Sequence, residues 1–323
     1  MTAEPGQPRS AGGRPARTIF FGSGTFAVPI LDAALSAPEI EVIAVVSAPD
    51  RPVGRKAVVT PSPVAARARE LGLALLQPER LRAPEAVTAI AELRPDLGLL
   101  ADYGQIVPPA ILELPPHGIL NVHPSPLPRH RGATPIPATI LAGDEATAVA
   151  LIRMDEGLDT GPIVAGVTTD VHPAERAPQL EARLARLGAD LVHRFVGRWV
   201  RGELLTHPQP DVGATLTRPL SREDGRLDPT RPAAFLERQV RAYDPWPGTW
   251  LETPAGRIAV RQAHIEEDVP RTTPGRFGPG PDLRIGTADG WLVLDEVQPA
   301  GGMRMSGESW LRGRPAAAGS SVG

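Results

Sequence analysis

The 323-residue sequence contains no cysteine. This excludes a disulfide framework, a thiolate nucleophile and a thiolate metal site, and it suits a reducing cytoplasm. Lys56 is the only lysine beside many arginines. No stretch approaches the roughly eighteen continuous apolar residues of a membrane span, and residues 1–17 lack the apolar run of a secretory signal. The formal net charge is only −3, so a polyanionic partner would need a local basic patch.

Residues 17–203 alternate short apolar runs with longer amphipathic stretches. Runs typical of buried strands begin at Thr18, Val42, Ala74, Leu97 and Ile119, and two further strands are predicted over 148–154 and 162–169. Helices are predicted over 26–35, after Ser62-Pro63, over 84–93 and over 177–200. This alternation, with strands apolar on both faces, predicts an α/β domain with a doubly wound, mostly parallel, Rossmann-like sheet.

The composition changes near Thr206, where Pro, Gly and Thr appear without periodicity. We predict a linker over residues 204–220. Beyond it, a short helix over 232–242 is followed by short strands separated by glycine-containing turns, which predicts a small OB-like β-barrel over 221–313. Residues 1–16 and 314–323 are predicted to be disordered tails.

The first glycine motif follows the first strand. Residues 22–27 read "GSGTFA", which matches the G-x-G-x-x-A fingerprint of dinucleotide-binding sheets, and Asp50 stands where such sites carry an acidic residue. An NAD(P) site is therefore one interpretation. The other is that any tight strand-to-helix turn needs small residues. The loop that begins at Asp50, "DRPVGRKAVVTPSP", is longer than a ribose-binding strand end requires, and such long loops tend to be functional.

Polar side chains gather at the end of the strand predicted at Ile119. Asn121 and His123 alternate with Val122, so both side chains lie on one face of the strand. The turn "MDEGLDTG" adds three carboxylates, those of Asp155, Glu156 and Asp159. An amide, an imidazole and a carboxylate at one crevice suit attack on a carbonyl carbon, with direct transfer to an amine because no cysteine or serine nucleophile is evident.

Structural roles stay open for the same residues. A histidine at a strand end can simply be a satisfied structural residue, and an aspartate in a glycine-rich turn can be a turn former. A metal site at His123 and Asp159 is not expected, because no third ligand stands at a recognisable spacing. The remaining histidines are predicted to be surface or turn residues: His117, His130, His172, His193, His207 and His264.

Longer motifs resemble a known family. Along the chain they read "FFGSGTFAVPIL", "PDRPVGR", "TPSPV", "LQPERLR", "ADYGQIVP", "LNVHPSPLPRHRGATPI", "ILAGD" and "MDEGLDTG", then "LSREDGRLD", "QVRAYDPWPGTW" and "RMSGESWLRG". Their order resembles that of the methionyl-tRNA formyltransferases from about residue 17 to residue 313. The resemblance implies transfer of a formyl group from 10-formyltetrahydrofolate to the α-amino group of methionine on initiator tRNA, by a cytoplasmic monomer that uses no metal.

The resemblance also implies roles for individual positions. The catalytic positions are matched by Asn121, His123 and Asp159. The folate-contacting turn is matched by Ser125, Pro126, Leu127 and Pro128. The loop that contains Arg55 is expected to engage the acceptor end of the tRNA, and the C-terminal barrel is expected to be a second tRNA surface. The prolines at 124, 126 and 128 would form a rigid wall for the flat cofactor.

The sequence departs from the family pattern in three places. "GRKAV" at 54–58 replaces the usual Gly-Arg-Gly-Lys-Lys, "SPLP" replaces "SLLP", and Pro162 stands where an acidic residue often follows "DTG". Arginines roughly balance the acidic residues of the C-terminal part, so its composition lacks the basic excess expected for tRNA binding. Two other interpretations stay open: a sister formyltransferase that acts on a sugar amine or another small amine, and an RNA-binding module without catalytic activity.

Overall fold

The computed structural model describes residues 13–54, 57–266 and 272–322. These residues belong to two compact units. The first is formed within residues 1–133, 146–169 and 181–217, and the second within residues 134–145, 170–180 and 218–323. None of the helices in the described part of the chain is both long and apolar enough to cross a membrane.

Strands and short helices alternate through the first two hundred residues. In chain order they are β1 (Ala16–Gly22), α1 (Ala27–Ser36), β2 (Ile40–Val46), β3 (Arg51–Val53), β4 (Val58–Thr60), α2 (Pro63–Glu70), β5 (Leu75–Leu76), α3 (Pro84–Glu92), β6 (Leu97–Ala101), α4 (Pro109–Leu112), β7 (Ile119–His123), β8 (Arg131–Gly132), α5 (Pro135–Ala142), β9 (Ala146–Arg153), β10 (Ile163–Asp170) and α6 (Ala177–Val200). The predicted helix start at Ser62 is confirmed, because the Ser62 side chain accepts a hydrogen bond from the Ala65 amide.

The main sheet has the strand order β10-β9-β7-β6-β1-β2-β5. Neighbouring strands from β7 to β5 run parallel, whereas β7 and β9 run antiparallel. The prediction of a doubly wound, mostly parallel α/β sheet is therefore confirmed. The chain moves outward from β1 through β2 and β5 on one side, then returns to β6 and β7 on the other. The topological switch point, where open α/β sheets bind ligands, consequently lies between the carboxyl ends of β1 and β6.

The centre of this sheet is apolar on both faces. All five residues of β6 and all five of β7 are buried. One hydrophobic cluster brings together buried side chains of the central strands and of α3 and α4: Ile19, Phe21, Val46, Leu81, Ile90, Leu100, Tyr103, Val107, Ile111 and Ile119. Because both faces of these strands are covered by protein, polar side chains can reach a ligand only at the strand ends.

The C-terminal part of the chain forms a second sheet. Its elements are β11 (Leu216–Thr217), α7 (Ala233–Ala242), β12 (Thr249–Thr253), β13 (Gly256–Glu266), β14 (Arg284–Gly286), β15 (Trp291–Pro299), β16 (Met305–Ser306) and α8 (Gly307–Arg312), of which β11 pairs instead with β8. The order is β12-β13-β15-β14, with β16 on β15, and all these pairs are antiparallel. Register shifts around Gln262 bend β13. The predicted small β-domain is thus a curled antiparallel sheet, a half-barrel whose core includes Phe277 and Trp310.

The predicted linker and the predicted C-terminal tail both form backbone hydrogen bonds with distant parts of the chain. Within the predicted linker, the backbones of His207 and Ile163 exchange two hydrogen bonds of 2.8 Å. Residues 314–322, predicted to be disordered, contain a 3₁₀ turn over Pro315–Ala317. Their backbone also bonds to residues 275–277, where the Val322 amide reaches the Gly275 carbonyl at 2.8 Å. Both differences come from long-range backbone pairing, which a composition rich in Pro and Gly does not reveal.

Candidate active site

Strand β7 carries the two polar residues that the sequence singles out. Asn121 and His123 are 6% and 4% exposed, and both lie at the carboxyl end of the strand. Parallel pairing with β6 places Asn121 opposite Leu100, and antiparallel pairing with β9 places His123 opposite Ala150. Asn121 is also the only asparagine in the chain. The strand alternation therefore points both side chains to one side of the sheet edge.

The turn between β9 and β10 supplies the carboxylate. Its three acidic residues do different things. Asp155 closes the turn on itself, because its Oδ1 accepts hydrogen bonds from the Gly157 amide at 3.1 Å and the Thr160 hydroxyl at 2.7 Å. Glu156 is exposed. Asp159 has a positive φ of 52°, and its side chain reaches β7.

The Asp159 carboxylate joins three groups. Asn121 Nδ2 donates a hydrogen bond to Oδ1 at 3.0 Å. The amide of Gly132 donates to Oδ2 at 2.8 Å, and His123 Nδ1 lies 3.5 Å from the same oxygen. The three residues that the sequence singles out for catalysis are thus within direct reach of one another. A buried carboxylate with these partners can fix the amide rotamer and stabilise a positive charge on the imidazole.

The other edge of the His123 ring faces backbone. Its Nε2 lies 3.1 Å from the carbonyl oxygen of His130, which can only accept a hydrogen bond. Burial lowers the pKa of His123, while the negative charge of Asp159 and the His130 carbonyl partly oppose that effect. The neutral ring therefore predominates near neutral pH, and it can donate at only one of its two nitrogens.

The turn after β7 is held by its own backbone. Ser125 is fully buried, and its hydroxyl donates to the Arg129 carbonyl at 2.7 Å. The Ser125 amide bonds to the His123 carbonyl at 3.0 Å, and the Leu127 amide bonds to the Ser125 carbonyl at 3.0 Å. The peptide bond between Leu127 and Pro128 is cis. Because the Ser125 hydroxyl already has a partner, this turn offers a ligand mainly its backbone and the faces of its prolines.

Two family models match this chain. Residues 16–196 match the family model described as formyl transferase, and residues 219–315 match that of the formyl transferase C-terminal domain. The chain belongs to the formyl transferase family.

Curated relatives align with this formyl transferase along nearly their whole length. A methionyl-tRNA formyltransferase of Chloroflexus aurantiacus is 44% identical over 92% of this chain and 96% of its own. That of Halorhodospira halophila is 43% identical over 93% of this chain and 96% of its own. One from Thermus thermophilus is 40% identical over 95% of this chain and 99% of its own.

Solved structures support the fold. A Helicobacter canadensis N-formyltransferase in complex with folinic acid and dTDP-3-aminofucose gives a TM-score of 0.64 at 15% identity, covering 86% of this chain and 98% of that one. HypX from Aquifex aeolicus in complex with tetrahydrofolic acid gives a TM-score of 0.56 at 17% identity. That match covers 92% of this chain and 47% of the HypX chain.

Sequence reasoning missed the groups that hold the Asp159 turn in place. Gln209 Nε2 donates to the carbonyls of Asp159 at 2.8 Å and Gly161 at 2.7 Å. Arg131 in turn donates to Gln209 Oε1 at 3.0 and 2.8 Å. Gln209 lies in the predicted linker, "THPQPDVG", and its only signal there is a polar side chain among prolines. The segment is therefore part of the support of the site.

Gly132 has a second constraint besides its bond to Asp159. Its φ is +105°, and a Cβ atom there would lie 2.4 Å from the Thr217 carbonyl oxygen. The short strands β8 and β11 pair at this point. Glycine is thus required both by the backbone conformation and by the close approach of β11, and the Gly132 amide is aimed at Asp159 as a result.

Two of the histidines predicted at the surface or in turns are buried. His117 and His130 both lie in turns, as predicted, and they are 3% and 6% exposed. The His117 carbonyl accepts a hydrogen bond from the Trp199 indole at 2.9 Å, and burial lowers the pKa of His117. The His130 amide donates to the Thr215 hydroxyl at 2.8 Å. Distant segments thus cover both turns, and it is this burial that the sequence does not reveal.

The first glycine motif does not favour a dinucleotide. The amides of Ser23 and Gly24, which would receive a phosphate, donate instead to the Asp102 carbonyl at 2.9 and 3.2 Å. Asp50 accepts from Gln77 at 2.7 Å and from Arg69 at 2.9 Å. These contacts hold the pKa of Asp50 below its usual value. Both groups that the fingerprint requires are engaged within the protein.

Two further predictions concern ligands. Arg55, expected to engage tRNA, lies outside the described residues, as does Lys56. The flanking strands β3 and β4 form an antiparallel hairpin. Among residues 13–54, 57–266 and 272–322, no group of three or more metal-ligating side chains is placed to hold a metal ion.

Proposed function

We propose that this formyl transferase moves a formyl group from 10-formyltetrahydrofolate to the α-amino group of methionine on initiator tRNA, during translation initiation in the cytoplasm. The observation that carries the proposal is the joint contact of Asn121 and His123 with the Asp159 carboxylate at a strand end. The acceptor is supported by relatives named methionyl-tRNA formyltransferase that are 40–44% identical over more than nine-tenths of this chain.

Asn121 stabilises the charge that develops on the formyl oxygen. Its side-chain amide has two hydrogens, and Asp159 engages one of them. We assign the second hydrogen to the oxyanion formed when the amine attacks the formyl carbon. Because Asp159 fixes the amide rotamer beforehand, the donor needs little reorganisation during the reaction.

His123 handles the proton that the attacking nitrogen loses after attack. The ring is neutral at the start because burial lowers the pKa of His123. Once it takes the proton, the imidazolium is stabilised by Asp159, 3.5 Å from Nδ1. For this step the ring carries its first proton on Nδ1, towards Asp159, and Nε2 turns from the His130 carbonyl to take the proton on its free lone pair. The resulting Nε2–H then lies towards the oxyanion. The proton finally moves to N10 of the folate, which leaves as tetrahydrofolate.

Folate is proposed to lie against the turn formed by residues 125–128. This turn would form a rigid wall beside the folate, because Ser125 is buried and its hydroxyl donates to the Arg129 carbonyl. Pro126, Leu127 and Pro128 present faces and backbone to a flat ring. HypX has a similar fold and was solved in complex with tetrahydrofolic acid, which supports a folate as the co-substrate of this formyl transferase.

The tRNA is proposed to bind through two parts of a monomeric enzyme. The loop with Arg55 would engage the acceptor end. Residues 17–203 would form the catalytic domain, with residues 204–217 in the same compact unit, and residues 221–313 would form a tRNA-binding domain. The match of residues 219–315 to the C-terminal domain of the family supports this division.

One assay tests the proposal. Purified protein is incubated with 10-formyltetrahydrofolate and methionyl initiator tRNA, and N-formylmethionine is measured after hydrolysis of the tRNA ester. Methionyl elongator tRNA and dTDP-3-aminofucose serve as parallel acceptors. We expect formylation of the initiator tRNA to dominate. Formylation of the amino sugar alone would overturn the tRNA assignment, and no formylation of any amine would overturn the proposed chemistry.

A further inference from the structure

Asp102 lies at the topological switch point of the main sheet. It directly follows β6, whose last residue Ala101 pairs with Gly22 at the end of β1. On the other side, Leu100 of β6 pairs with Asn121 of β7. Asp102 therefore lies at the carboxyl end of β6, the strand between β1 and β7. One carboxylate thus stands between the first glycine turn and the proposed catalytic strand, at the position where such sheets bind ligands.

The backbone holds this carboxylate in place. Asp102 has a positive φ of 44°, and its carbonyl accepts hydrogen bonds from the amides of Ser23 and Gly24. Its side chain lies directly over Gly24, since a Cβ atom on Gly24 would be 1.7 Å from Asp102 Oδ2. Glycine at position 24 therefore makes room for the Asp102 carboxylate, which is a role different from the one that the dinucleotide interpretation gives it.

The surroundings of Asp102 are acidic. The residue keeps contact with solvent, but desolvation of its carboxyl by the surrounding protein raises the pKa of Asp102 to about 6, and the negative charge of Glu181 on α6 adds to this. Glu181 itself accepts a hydrogen bond from the Thr25 hydroxyl. Among the residues that the structure describes, no basic side chain pairs with Asp102. A cationic group of a ligand would suit this position.

We propose that Asp102 binds the ammonium form of the acceptor amine and accepts the first proton that the amine must lose. This inference rests on the proposed function. An α-amino group has a pKa of about 7.7–8.0, so near neutral pH much of the acceptor is an ammonium ion that cannot attack. The ammonium proton passes to the Asp102 carboxylate, which leaves a neutral amine and a carboxylic acid. The acid then releases the proton to solvent at the crevice mouth.

This assignment separates the two proton transfers of the reaction. Asp102 takes the proton that leaves before attack, and His123 takes the proton that leaves after attack and delivers it to the folate nitrogen. The bond from the amine nitrogen to the formyl carbon forms, and the bond from that carbon to N10 breaks. One proton of the ammonium ion goes to solvent and the other to N10, so the products are a formamide, tetrahydrofolate and one proton in solution. A carboxyl with a pKa near 6 is a better match for an ammonium ion than an ordinary aspartate.

The test is the Asp102→Asn variant. Asparagine tolerates a positive φ and keeps the shape over Gly24, so the fold is preserved while the charge is lost. We expect kcat/KM for methionyl-tRNA to fall at least about ten-fold, with the Kd for tetrahydrofolate unchanged by calorimetry. The acid limb near pH 6 of the kcat/KM profile should disappear. Glu41→Gln, an exposed residue at the amino end of β2, is the matched control and should change none of these.

A second variant guards against a general loss of folding. Gly24→Ala must displace the Asp102 carboxylate, so it should lower kcat/KM for methionyl-tRNA in the same direction while folate binding persists. A wild-type pH profile and kcat/KM in Asp102→Asn would overturn the inference, and so would an equal loss of folate affinity. Wild-type protein that formylates no acceptor would instead overturn the proposed function, which keeps the two failures distinct.

Discussion

Asn121 and Asp159, 38 residues apart in sequence, are joined by a hydrogen bond of 3.0 Å from Nδ2 to Oδ1. The bond ties the end of β7 to the turn between β9 and β10. It also fixes the orientation of the Asn121 amide, and the His123 ring lies beside the same carboxylate. The reactivity that we propose depends on this carboxylate more than on any single donor.

Loss of the Asp159 charge should be costly. In Asp159→Asn, the amide retains the size of the side chain but cannot stabilise an imidazolium on His123. We expect kcat to fall by roughly 10²–10⁴-fold, the usual contribution of acid–base catalysis, with the melting temperature little changed. Steady-state kinetics with methionyl-tRNA would check this. Asp211→Asn, at an exposed position of the first unit, is the control. Equal rates for the two variants would remove Asp159 from the mechanism.

Gly132 offers a test that leaves every proposed catalytic side chain unchanged. In Gly132→Ala, the new Cβ would meet the Thr217 carbonyl at 2.4 Å, so the backbone must shift and withdraw its amide from Asp159. A misplacement of this kind should lower kcat roughly ten-fold or more. Gly213→Ala has a similarly positive φ with nothing within 4 Å, so it reports backbone strain alone. A comparable loss of kcat in both variants would argue against the contact with Asp159.

Gln209 should matter to catalysis although it is remote from the reacting atoms. Gln209→Ala removes both hydrogen bonds to the Asp159 turn. We expect kcat to fall roughly ten-fold while the KM for folate stays near the wild-type value, because only the turn loses support. Val212→Ala, 88% exposed in the same segment, is the matched control. A Gln209→Ala variant as active as this control would show that the turn is held without Gln209.

Burial of His123 predicts a pH dependence of stability. The pKa of His123 is lowered in the folded state, so below about pH 6.5 the unfolded chain binds a proton that the folded chain does not. The free energy of unfolding should therefore decrease as the pH falls from about 6.5 towards 5. His123→Gln should flatten this slope, measured by urea unfolding across that range. His193→Gln, on the exposed side of α6, should leave it unchanged; identical slopes in all three proteins would contradict the account.

Local signals predicted the framework of the first domain well. Helix α6 spans Ala177–Val200, the range that its periodicity indicates. Strand β7 ends at His123, so the alternation of Asn121 and His123 was enough to place both on one face. These features depend on periods of two and 3.6 residues and on caps such as Ser62, which are written in short stretches of sequence.

The support of the site depends on long-range pairing and could not be predicted in that way. Asp155 and Asp159 occupy one turn, and only the structure shows that the first closes the turn and the second reaches β7. Gln209 stands among prolines that resemble a linker, yet its amide binds the backbone of that turn. Burial of His130 likewise depends on contact with a segment that contains Thr215. Such contacts have no local period or motif.

The most direct test of the central claim is the rate of formyl transfer from 10-formyltetrahydrofolate to methionyl initiator tRNA by Asn121→Ala relative to wild type. Loss of an oxyanion donor costs about 2.7–4 kcal/mol, so we predict a kcat lower by roughly 10²–10³-fold. His123→Ala should lose at least as much. Circular dichroism and thermal unfolding should show that the Asn121→Ala fold persists. Near-normal turnover by Asn121→Ala would contradict the account.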